Sequence, residues 1–431
     1  MITITDRNTN VPIKCWLKYH YNLKYFPNLE ESCLKEAEKL ANLPFLEKHL
    51  ALMPDCHATG FGMPVGGVLA TKDVLLIEGA SADICCGVKF LQTNIPSEIL
   101  SIETDSGTLG QMLVGQIIRN IPTGFAHRDP DPKNHPARDE LSMLYEEYAT
   151  EIKPPGGVWK IPIPEISDAE LQAWEIVGTL GGGNHFIEIQ ENIDNNLLGI
   201  MVHTGSRSVG KKIYDYFNDK AKELNKKWYV NTIDPNIHLP FLPADSKVGK
   251  EYLHWMRYAS EIAKLNRKII MNTVKKELYK LVDKYAPMNF EQRLKTDMHH
   301  NYIEQENVGG VNYWIHRKGA VRARKNDIIP IPGAMGSYSY ICEGLQNEES
   351  FHSAPHGAGR SLTRTAALEK YNTQEVIEDL KDNDVILGKN NKEKVADEYK
   401  KSYKDIEKVI ENSKDLIKPI SKLKSKLVIK G

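Results

Sequence analysis

Apolar and polar positions repeat along the chain in two ways, which separate helical from extended segments. Residues 29–50 carry apolar side chains three and four positions apart, which predicts a helix with a break near Pro44. Residues 246–285 show the same spacing over a longer run and predict a helix that packs into the core. Residues 184–190 and 197–203 are short apolar runs, and we expect both to be strands.

Glycine, proline and charge divide the remaining segments. Residues 51–100 and 298–366 place glycines between short β-rich runs, which predicts strands joined by tight turns. Residues 121–166 are rich in proline and charge, and we expect a surface excursion with one helix around residues 138–151. Residues 371–431 mix Lys with Asp and Glu, which predicts a helical C-terminal segment with solvated charged faces.

Composition indicates a folded protein in a reducing compartment. The 431 residues are 41% hydrophobic and 26% charged, which excludes wholesale disorder. A net charge of -1 excludes a uniformly basic surface for non-specific nucleic-acid binding but leaves a local basic cleft open. The six cysteines lack the spacing of a disulfide framework. The start has no secretory signal and no apolar run approaches the length of a membrane span, so we expect a cytoplasmic protein without membrane contact.

A set of ligand-type residues predicts a transition-metal site. Asp83 and Cys86 are spaced so that a carboxylate and a thiolate can reach one ion, and imidazoles from separate loops would complete one or two sites. Oxygen, sulfur and nitrogen donors together suit Zn²⁺, Fe²⁺, Mn²⁺ or Co²⁺ and do not suit Ca²⁺ or Mg²⁺. Any one histidine is more simply a structural residue. The histidines at strand ends or in glycine-rich turns are His57, His185, His203, His299, His300 and His356.

Three glycine-rich segments suggest that the ligand carries phosphate. HTGSRSVG (203–210), IPGAMGSYS (331–339) and HGAGRSLTR (356–364) combine small residues with hydroxyls or Arg. Glycines let backbone amides approach an anion, and Arg adds a two-pronged donor. The chain has neither a Walker A sequence nor a Rossmann fingerprint, so the common nucleotide-binding folds are not supported.

With these residues in hand, the chain resembles the RtcB family of RNA ligases. The similarity runs in order from residue 53 to residue 431 and so spans nearly the whole chain. The motifs are MPDCHATGFGMPVGGV, DICCGV, GTLGGGNHFIEI, HTGSRSVG, HHNY, RKGA, IPGAMG, GLQNEESFHSAPHGAGR, SYKD and the terminal KG.

The resemblance implies a fold and a reaction. The fold would be α/β (mixed α+β), a single large domain over residues 1–431 with mixed sheets, peripheral helices and a deep central cleft for metal and nucleotide. The segment 371–431 would close the nucleotide pocket. The activity would join RNA 3′-phosphate or 2′,3′-cyclic phosphate ends to 5′-hydroxyl ends with GTP and two Mn²⁺ ions, through a histidine–GMP intermediate and an RNA 3′-pp-G species. The partner would be a tRNA or a damaged RNA. An activating protein is an open possibility, and a monomer is expected.

The resemblance also implies roles for individual residues. His356 would be the guanylylated nucleophile and Asp55 an essential acid near the metals. The metal ligands would be Asp83, Cys86, His185, His203 and His300, with the Cys86 thiolate shared by two ions. The GMP pocket would consist of Asn184, His185, Phe186, Ile187, Glu188, His300, Asn301, Pro332, Gly333, Ala334, Met335, Ser339, His356, Gly357, Ala358, Gly359, Tyr403 and Lys430. RNA phosphates would contact Arg207, Lys318 and Arg364.

The chain departs from the family pattern at a few positions. Ala334 stands where a serine is common, Pro355 precedes the nucleophile and restricts its backbone, and Cys85 adds a thiol beside the ligand Cys86. Residues 181–183 are three consecutive glycines.

Two other functions stay open: a metal-dependent phosphoester hydrolase that uses the same ligands, and a catalytically silent RNA-binding relative.

Overall fold

Two large β-sheets with helices packed on them make up the molecule. The computed structural model describes residues 1–5, 9–17, 29–60, 62–129, 131–149, 173–228, 239–389 and 395–431. The strands within these ranges are β1 (Ile2–Ile4), β2 (Ile13–Cys15), β3 (Glu47–His57), β4 (Val65–Thr71), β5 (Val74–Leu76), β6 (Gly87–Pro96), β7 (Glu103–Thr104), β8 (Gly107–Thr108), β9 (Phe186–Asn192), β10 (Leu197–Thr204), β11 (Phe241–Pro243), β12 (Gln292–His299), β13 (Asn301–Val308), β14 (Val311–Lys318), β15 (Ala320–Arg322), β16 (Ile328–Ile331), β17 (Tyr338–Gly344), β18 (Ser353–Pro355), β19 (Ile386–Gly388) and β20 (Ile417–Lys430). The α-helices are α1 (Glu31–Ala41), α2 (Leu109–Asn120), α3 (Arg138–Ala149), α4 (Arg207–Lys227), α5 (Lys247–Tyr285), α6 (Arg364–Lys370), α7 (Thr373–Asp382) and α8 (Ile406–Asn412). The chain is therefore a mixed α/β protein, which confirms the predicted fold class.

The chain passes directly from one large sheet to the other at a single residue. The first sheet has the strand order β1-β2-β3-β4-β14-β13, and the second has the order β12-β6-β10-β9-β20-β17-β16, with β19 also paired to β20. Strand β12 of the second sheet ends at His299 and strand β13 of the first begins at Asn301, so the chain crosses between the sheets at His300. This crossing brings the ends of both sheets to the same region.

The long helix α5 confirms the prediction made for residues 246–285. Its N-terminus is capped by Ser246, whose hydroxyl accepts a hydrogen bond from the Gly249 amide. The apolar side packs into two clusters of the core, including Trp255 and Ile270, neither of which is exposed. Burial of this stripe, rather than helix propensity, stabilises a helix of 39 residues.

A buried guanidinium in the middle of α5 joins the loops around the strand ends. Nη1 of Arg267 donates to the carbonyl of Cys85 at 3.0 Å and to the carbonyl of Thr204 at 3.1 Å. Nε of Arg267 donates to Oδ1 of Asp297 at 2.6 Å, and Asp297 also pairs with Lys89. Because Arg267 is fully buried, these partners replace the water that its charge would otherwise bind. One side chain therefore connects the ends of β6, β10 and β12.

The predicted helix over residues 29–50 is too long at its C-terminal end. Helix α1 ends at Ala41, and residues 47–50 already belong to β3. Leu50 and Leu52 are fully buried in this strand, which lies between β2 and β4. Burial on both faces removes the alternation that would have distinguished the strand from a helix.

The prediction that residues 371–431 are helical is wrong for its last part. The two helices α7 and α8 are followed by the 14-residue strand β20, which lies between β9 and β17. In this strand Leu423, Ser425 and Leu427 are buried at every second position. That period of two is typical of a strand, and the intervening lysines concealed it within a charged segment.

The other predicted elements agree with the structure as far as it describes them. Strands β9 and β10 correspond to the runs at 184–190 and 197–203, and α3 corresponds to the predicted helix at 138–151. The rest of the proline-rich segment, residues 150–166, lies outside the described residues. Among the helices that the structure describes, none is both long and apolar enough to cross a lipid bilayer.

We predict that Arg267→Met lowers both stability and metal content. The change leaves the Cys85 and Thr204 carbonyls without their donor and Asp297 with one cation fewer, at an expected cost of about 3 kcal/mol in the free energy of unfolding. Chemical denaturation and metal analysis of the folded protein measure the two effects. Arg257, exposed on the same helix, provides the matched control. An Arg267→Met protein as stable and as metal-loaded as Arg257→Met would contradict this role.

Candidate metal and nucleotide site

The five predicted metal ligands meet at one end of the second sheet. Strands β12, β6, β10 and β9 are neighbours in that order, so the segments at their shared end lie side by side. His203 on β10 is opposite Val88 on β6 and Phe186 on β9. The amide of His300 donates to the carbonyl of Cys86 at 2.9 Å, which joins the crossing between the sheets to the loop before β6. The ligands brought together are Asp83, Cys86, His185, His203 and His300.

The distances define two overlapping groups of ligand atoms. Sγ of Cys86 lies 3.3 Å from Nε2 of His185 and 3.2 Å from Nε2 of His203. Nε2 of His203 is 3.4 Å from Nε2 of His300, and Nε2 of His185 is 3.0 Å from Oδ2 of Asp83. One group is Cys86 with His203 and His300, and the other is Cys86 with Asp83 and His185. The Cys86 thiol belongs to both groups, so two candidate ligand sets have one residue in common.

Burial sets the protonation states of these groups. Desolvation holds the pKa of both His203 and His300 well below the ordinary value, so both imidazoles are neutral and can donate a lone pair. Burial, and after it the negative charge of Asp83, raises the pKa of the Cys86 thiol well above the ordinary value. A bound cation would reverse that shift, since a coordinating thiol loses its proton. Neutral imidazoles, a carboxylate and a thiol facing one another fit a transition-metal site.

His185 is oriented from behind by groups on its other nitrogen. Its Nδ1 lies 3.1 Å from the carbonyl of Leu180, which accepts a hydrogen bond from Nδ1–H and leaves Nε2 free toward the ligand cluster. Nη1 of Arg207 lies 3.5 Å from the same nitrogen, beside Gly181. A Cβ on residue 181 would lie 1.8 Å from Nη1 of Arg207 and would displace the guanidinium, and φ of 85° at this residue also favours glycine. At the end of the same turn, a Cβ on residue 183 would lie 2.6 Å from Nη2 of Arg364.

His356 is held by a buried carboxylate. Oδ2 of Asp55 lies 2.7 Å from Nδ1 of His356 and 3.1 Å from its amide nitrogen, and Asp55 is not exposed. Because Nδ1–H donates to this carboxylate, Nε2 carries the free lone pair. The His356 ring lies 4.7 Å from the ring of His300, between centroids. Pro355 is the last residue of β18 and pairs with Ala320 of β15, so its fixed backbone angle fits the strand.

The metal cluster forms one wall of a pocket whose other walls contain most of the predicted nucleotide residues. The predicted residues that line it are Asn184, Phe186, Glu188, His300, Asn301, Pro332, Gly333, Ala334, Met335, His356, Gly357, Ala358, Gly359, Tyr403 and Lys430, and the predicted cations are Lys318 and Arg364. Lys430 is only 4% exposed because β20 ends inside the molecule.

Three predicted nucleotide contacts, His185, Ile187 and Ser339, do not line the pocket, and neither does the predicted cation Arg207. His185 belongs to the ligand cluster behind the pocket wall. Ile187 alternates with Phe186 and Glu188 along β9, so its side chain points the other way and is fully buried in the hydrophobic core. Ser339 lies behind the pocket wall, where its hydroxyl accepts a hydrogen bond from the Gly333 amide at 3.1 Å. Ser339 therefore supports a turn of the wall.

The structure adds two charged residues that the sequence did not single out. Oε2 of Glu398 lies 2.9 Å from Nζ of Lys430 and 2.6 Å from the Tyr403 hydroxyl, which donates to it. Oε1 of the same carboxylate accepts from Nη1 of Arg360 at 3.1 Å. Glu398 is 3% exposed, and Lys430 and Arg360 hold its pKa below the ordinary value in spite of burial. Its only signal in the sequence was an acid within a lysine-rich tail, which does not distinguish it from surface acids.

Lys318, one of the predicted RNA-phosphate contacts, has its charge paired within the protein. Its ammonium group forms an ion pair with the buried Glu78, whose carboxylate also accepts from the Tyr214 hydroxyl. Both side chains of the ion pair are less than a tenth exposed. Lys318 therefore lies at the pocket with its charge already partly balanced.

These features together define a class. A mixed α/β protein with a buried cysteine- and histidine-rich cluster that could hold a metal ion, next to a pocket of glycine-rich turns and cations, has the features of an enzyme that acts on phosphate groups. A family model described as tRNA-splicing ligase RtcB matches residues 36–431. The chain belongs to the RtcB family of RNA ligases.

Relatives from three domains of life cover nearly the whole chain. The RNA-splicing ligase RtcB of Escherichia coli K12 is 32% identical over 434 residues, covering 98% of each protein. The tRNA-splicing ligase RtcB of Methanococcus maripaludis is 29% identical, covering 94% of the chain and 93% of the relative. The RNA-splicing ligase RtcB homolog 1 of Entamoeba histolytica is 30% identical, covering 93% and 84%.

We predict that Cys86→Ala loses bound metal and Cys85→Ala does not. Cys85 has a left-handed backbone with φ of 53° and belongs to a hydrophobic core cluster, whereas Cys86 lies between the two ligand groups. Removing the shared sulfur takes one ligand from each group. Metal content after dialysis against Mn²⁺, Zn²⁺ or Co²⁺ is the measurement. Equal metal content in the two variants would show that the sulfur of Cys86 is not a ligand.

Proposed function

We propose that the chain is a GTP- and Mn²⁺-dependent RNA ligase that joins 3′-phosphate or 2′,3′-cyclic phosphate ends to 5′-hydroxyl ends. The observation that carries this proposal is the pairing of His356 with Asp55 in the pocket that also contains His203 and His300. A nucleophilic imidazole needs one nitrogen held by an acceptor and the other directed at the reacting phosphorus. Residues 1–431 would act as one catalytic unit.

The chemistry would proceed in three transfers at phosphorus. Nε2 of His356 attacks the α-phosphorus of GTP, a P–N bond forms and pyrophosphate leaves. An oxygen of the RNA 3′-phosphate then attacks that phosphorus, the P–N bond breaks and RNA 3′-pp-G is formed. Finally the 5′-hydroxyl attacks the 3′-phosphate and GMP leaves. A cyclic phosphate would first be opened by water. Asp55 holds the imidazole in one tautomer and stabilises the positive charge that develops on its ring.

The metal would be held by Asp83, Cys86, His185, His203 and His300. When bound, Mn²⁺ would neutralise phosphate charge and align the attacking and leaving oxygens. Burial keeps the imidazoles of His203 and His300 unprotonated and able to bind a metal, and Arg207 lies behind the ring of His185. The donor set suits several divalent transition metals, so Mn²⁺ rests on the family resemblance.

Guanine would be recognised by charged groups at opposite ends of its hydrogen-bonding edge. The Lys430 ammonium is a donor suited to the acceptors O6 and N7, and the Glu188 carboxylate is an acceptor suited to the N–H groups. Burial raises the pKa of Glu188 to about 7, with Gln190 and Lys430 opposing that shift. The carboxylate has to be ionised to accept both N–H groups, so guanine binding would weaken as the pH falls through this value.

The RNA strand would run over the cations at the pocket. Arg364 and Lys318 line the pocket, and Arg207 lies next to His185 behind the glycine turn. Together they would provide the local basic cleft that a net charge of -1 conceals. The cysteines are all buried and unpaired, which suits a reducing cytoplasm. A monomeric state and an activating partner protein stay predictions from the resemblance.

We predict that His356→Ala abolishes covalent labelling of the protein by α-labelled GTP and Mn²⁺. A phosphoramidate to histidine survives base and is lost in acid, so the label on the wild-type protein should show that stability. The variant should still seal an RNA with a pre-made 3′-pp-G end, because that step does not use the nucleophile. His254→Ala, whose ring contacts Tyr148 in another part of the molecule, is the control.

The same assay separates the three functions. A hydrolase would release phosphate without labelled protein, and a silent relative would bind RNA without either product. Label on the His356→Ala protein would reject His356 as the nucleophile. Failure of the variant to seal the pre-activated end would assign His356 a second role in the last step.

We predict that Glu398→Gln raises the KM for GTP about tenfold and weakens discrimination against ATP. The substitution removes the negative charge that holds Lys430, so the ammonium group is no longer fixed toward guanine. Sealing of a pre-activated RNA end should be unchanged. Glu375→Gln, which breaks a surface pair with Lys401, is the control. A GTP-to-ATP ratio equal to that of the wild type in Glu398→Gln would show that Glu398 does not set nucleotide choice.

A further inference from the structure

Phe125 is the most exposed large apolar side chain that the structure describes. It is 100% exposed, whereas the next values are 69% for Met143 and 54% for Met1. An apolar ring in water forgoes the stabilisation that burial would bring. Phe125 lies on the turn of residues 122–128, hereafter the Phe125 turn, which the pattern of proline and charge had indicated only as a surface excursion.

The Phe125 turn is held firmly in position. The amide of Gly124 donates to the carbonyl of Gly181 at 3.0 Å, and the amide of Leu180 donates to the carbonyl of Pro122 at 2.9 Å. C-terminal to Phe125, the amide of Arg128 donates to the carbonyl of Glu175 at 2.8 Å. Backbone bonds on both sides of Phe125 therefore fix the point from which the exposed ring projects. A rigid aromatic ring loses little conformational entropy when a ligand covers it.

The turn is attached to the metal side of the pocket. Nη2 of Arg207 donates to the carbonyl of Gly124 at 3.4 Å, and Nη1 of the same guanidinium reaches His185 of the ligand cluster. The main chain of Gly431 lies near Gly124, so the chain end that follows Lys430 contacts the same turn. A single arginine thus separates the base of the ring from a metal ligand.

The charge next to the ring favours nucleic acid as the occupant. Arg207 lies at Gly181 and Arg364 at Gly183, so two guanidinium groups flank the glycine turn to which Gly124 is bonded. Guanidinium groups attract phosphates, and an exposed aromatic ring stacks on an unpaired base whatever its sequence. A groove for single-stranded RNA combines these two elements.

We propose that Phe125 is a stacking platform for a nucleobase at a broken RNA end. The proposal rests on the proposed function and deepens it, because it adds a base contact to the phosphate contacts of Arg207 and Arg364. The ring would hold the end nucleotide by its flat face and so orient the terminal phosphate or hydroxyl toward the metal ligands. Stacking carries no hydrogen-bond readout, so the site would accept any base at the joint.

The first test compares side chains at position 125. Phe125→Ala should raise the KM for RNA about tenfold with little change in kcat, and Phe125→Leu should behave in the same way because it has no aromatic face. Phe125→Tyr should stay near the wild type. Because the ring is fully exposed, the unfolding midpoint should not move in any variant. An unchanged RNA KM in Phe125→Ala, or wild-type behaviour of Phe125→Leu, would overturn the proposal and favour a protein as the partner of the exposed ring.

The second test keeps the Phe125 ring and removes the terminal base of the RNA substrate. Substrates with an abasic terminal nucleotide on the 3′-phosphate strand or on the 5′-hydroxyl strand are assayed with the wild type and with Phe125→Ala. Loss of the Phe125→Ala effect on one abasic substrate supports stacking and assigns the strand. A Phe125→Ala effect of the same size on both abasic substrates would overturn the proposal.

Two further measurements separate this proposal from the proposed function. Labelling of His356 by GTP should be normal in Phe125→Ala, since no RNA takes part. The Kd for an RNA with 2-aminopurine at its end, followed by fluorescence, needs no chemistry and should rise in Phe125→Ala. If the wild type takes up no label from GTP, the proposed function is rejected. The fluorescence titration still shows whether Phe125 contributes to RNA binding. An equal Kd for the two proteins would reject the platform.

Discussion

The site depends on holding polar ligand loops together inside an apolar protein. The segments that carry Cys86, His203 and His300 end strands of one sheet, and their backbone carbonyls point into the interior. Arg267 satisfies two of those carbonyls and is itself balanced by Asp297. Separating a buried charge from its partners is costly, so these bonds favour one arrangement of the loops. The short distances between ligand atoms follow from that arrangement.

A second consequence of burial is the position of the chain end. Strand β20 lies inside the second sheet, so its last residue, Lys430, reaches the pocket wall with an ammonium group that water does not stabilise. Glu398 supplies the missing counter-charge, and Arg360 and Tyr403 occupy its remaining acceptor sites. The sheet therefore fixes the backbone of the pocket wall, and the buried ionic network fixes the orientation of the Lys430 side chain.

Gly181 and Gly183 allow two arginine side chains to pack against the same turn. The guanidinium groups of Arg207 and Arg364 lie against this turn, where a Cβ on residue 181 or 183 would displace them. The same turn bonds to Gly124 and so fixes the exposed ring of Phe125. The turn of residues 181–183 therefore contacts both arginines and the Phe125 turn. These contacts connect the pocket with the exposed ring of Phe125.

The sequence by itself determined the ligand types, the long helix α5 and the separate glycine-rich turns, because these depend on residue chemistry and on periodicity within one segment. The family motifs extended this to most of the pocket lining, with His185, Ile187, Ser339 and Arg207 as the exceptions. Tertiary structure alone decided which acid in the charged tail was Glu398, that the tail ended as a buried strand, and that Arg267 joined three loops. Each of these depends on contacts between residues far apart in the chain, and strand pairing and ion pairing leave no local pattern. The alternation of lysines with Leu423, Ser425 and Leu427 is the local signal of a strand, but only the tertiary structure shows that β20 pairs with both β9 and β17 and is buried between them.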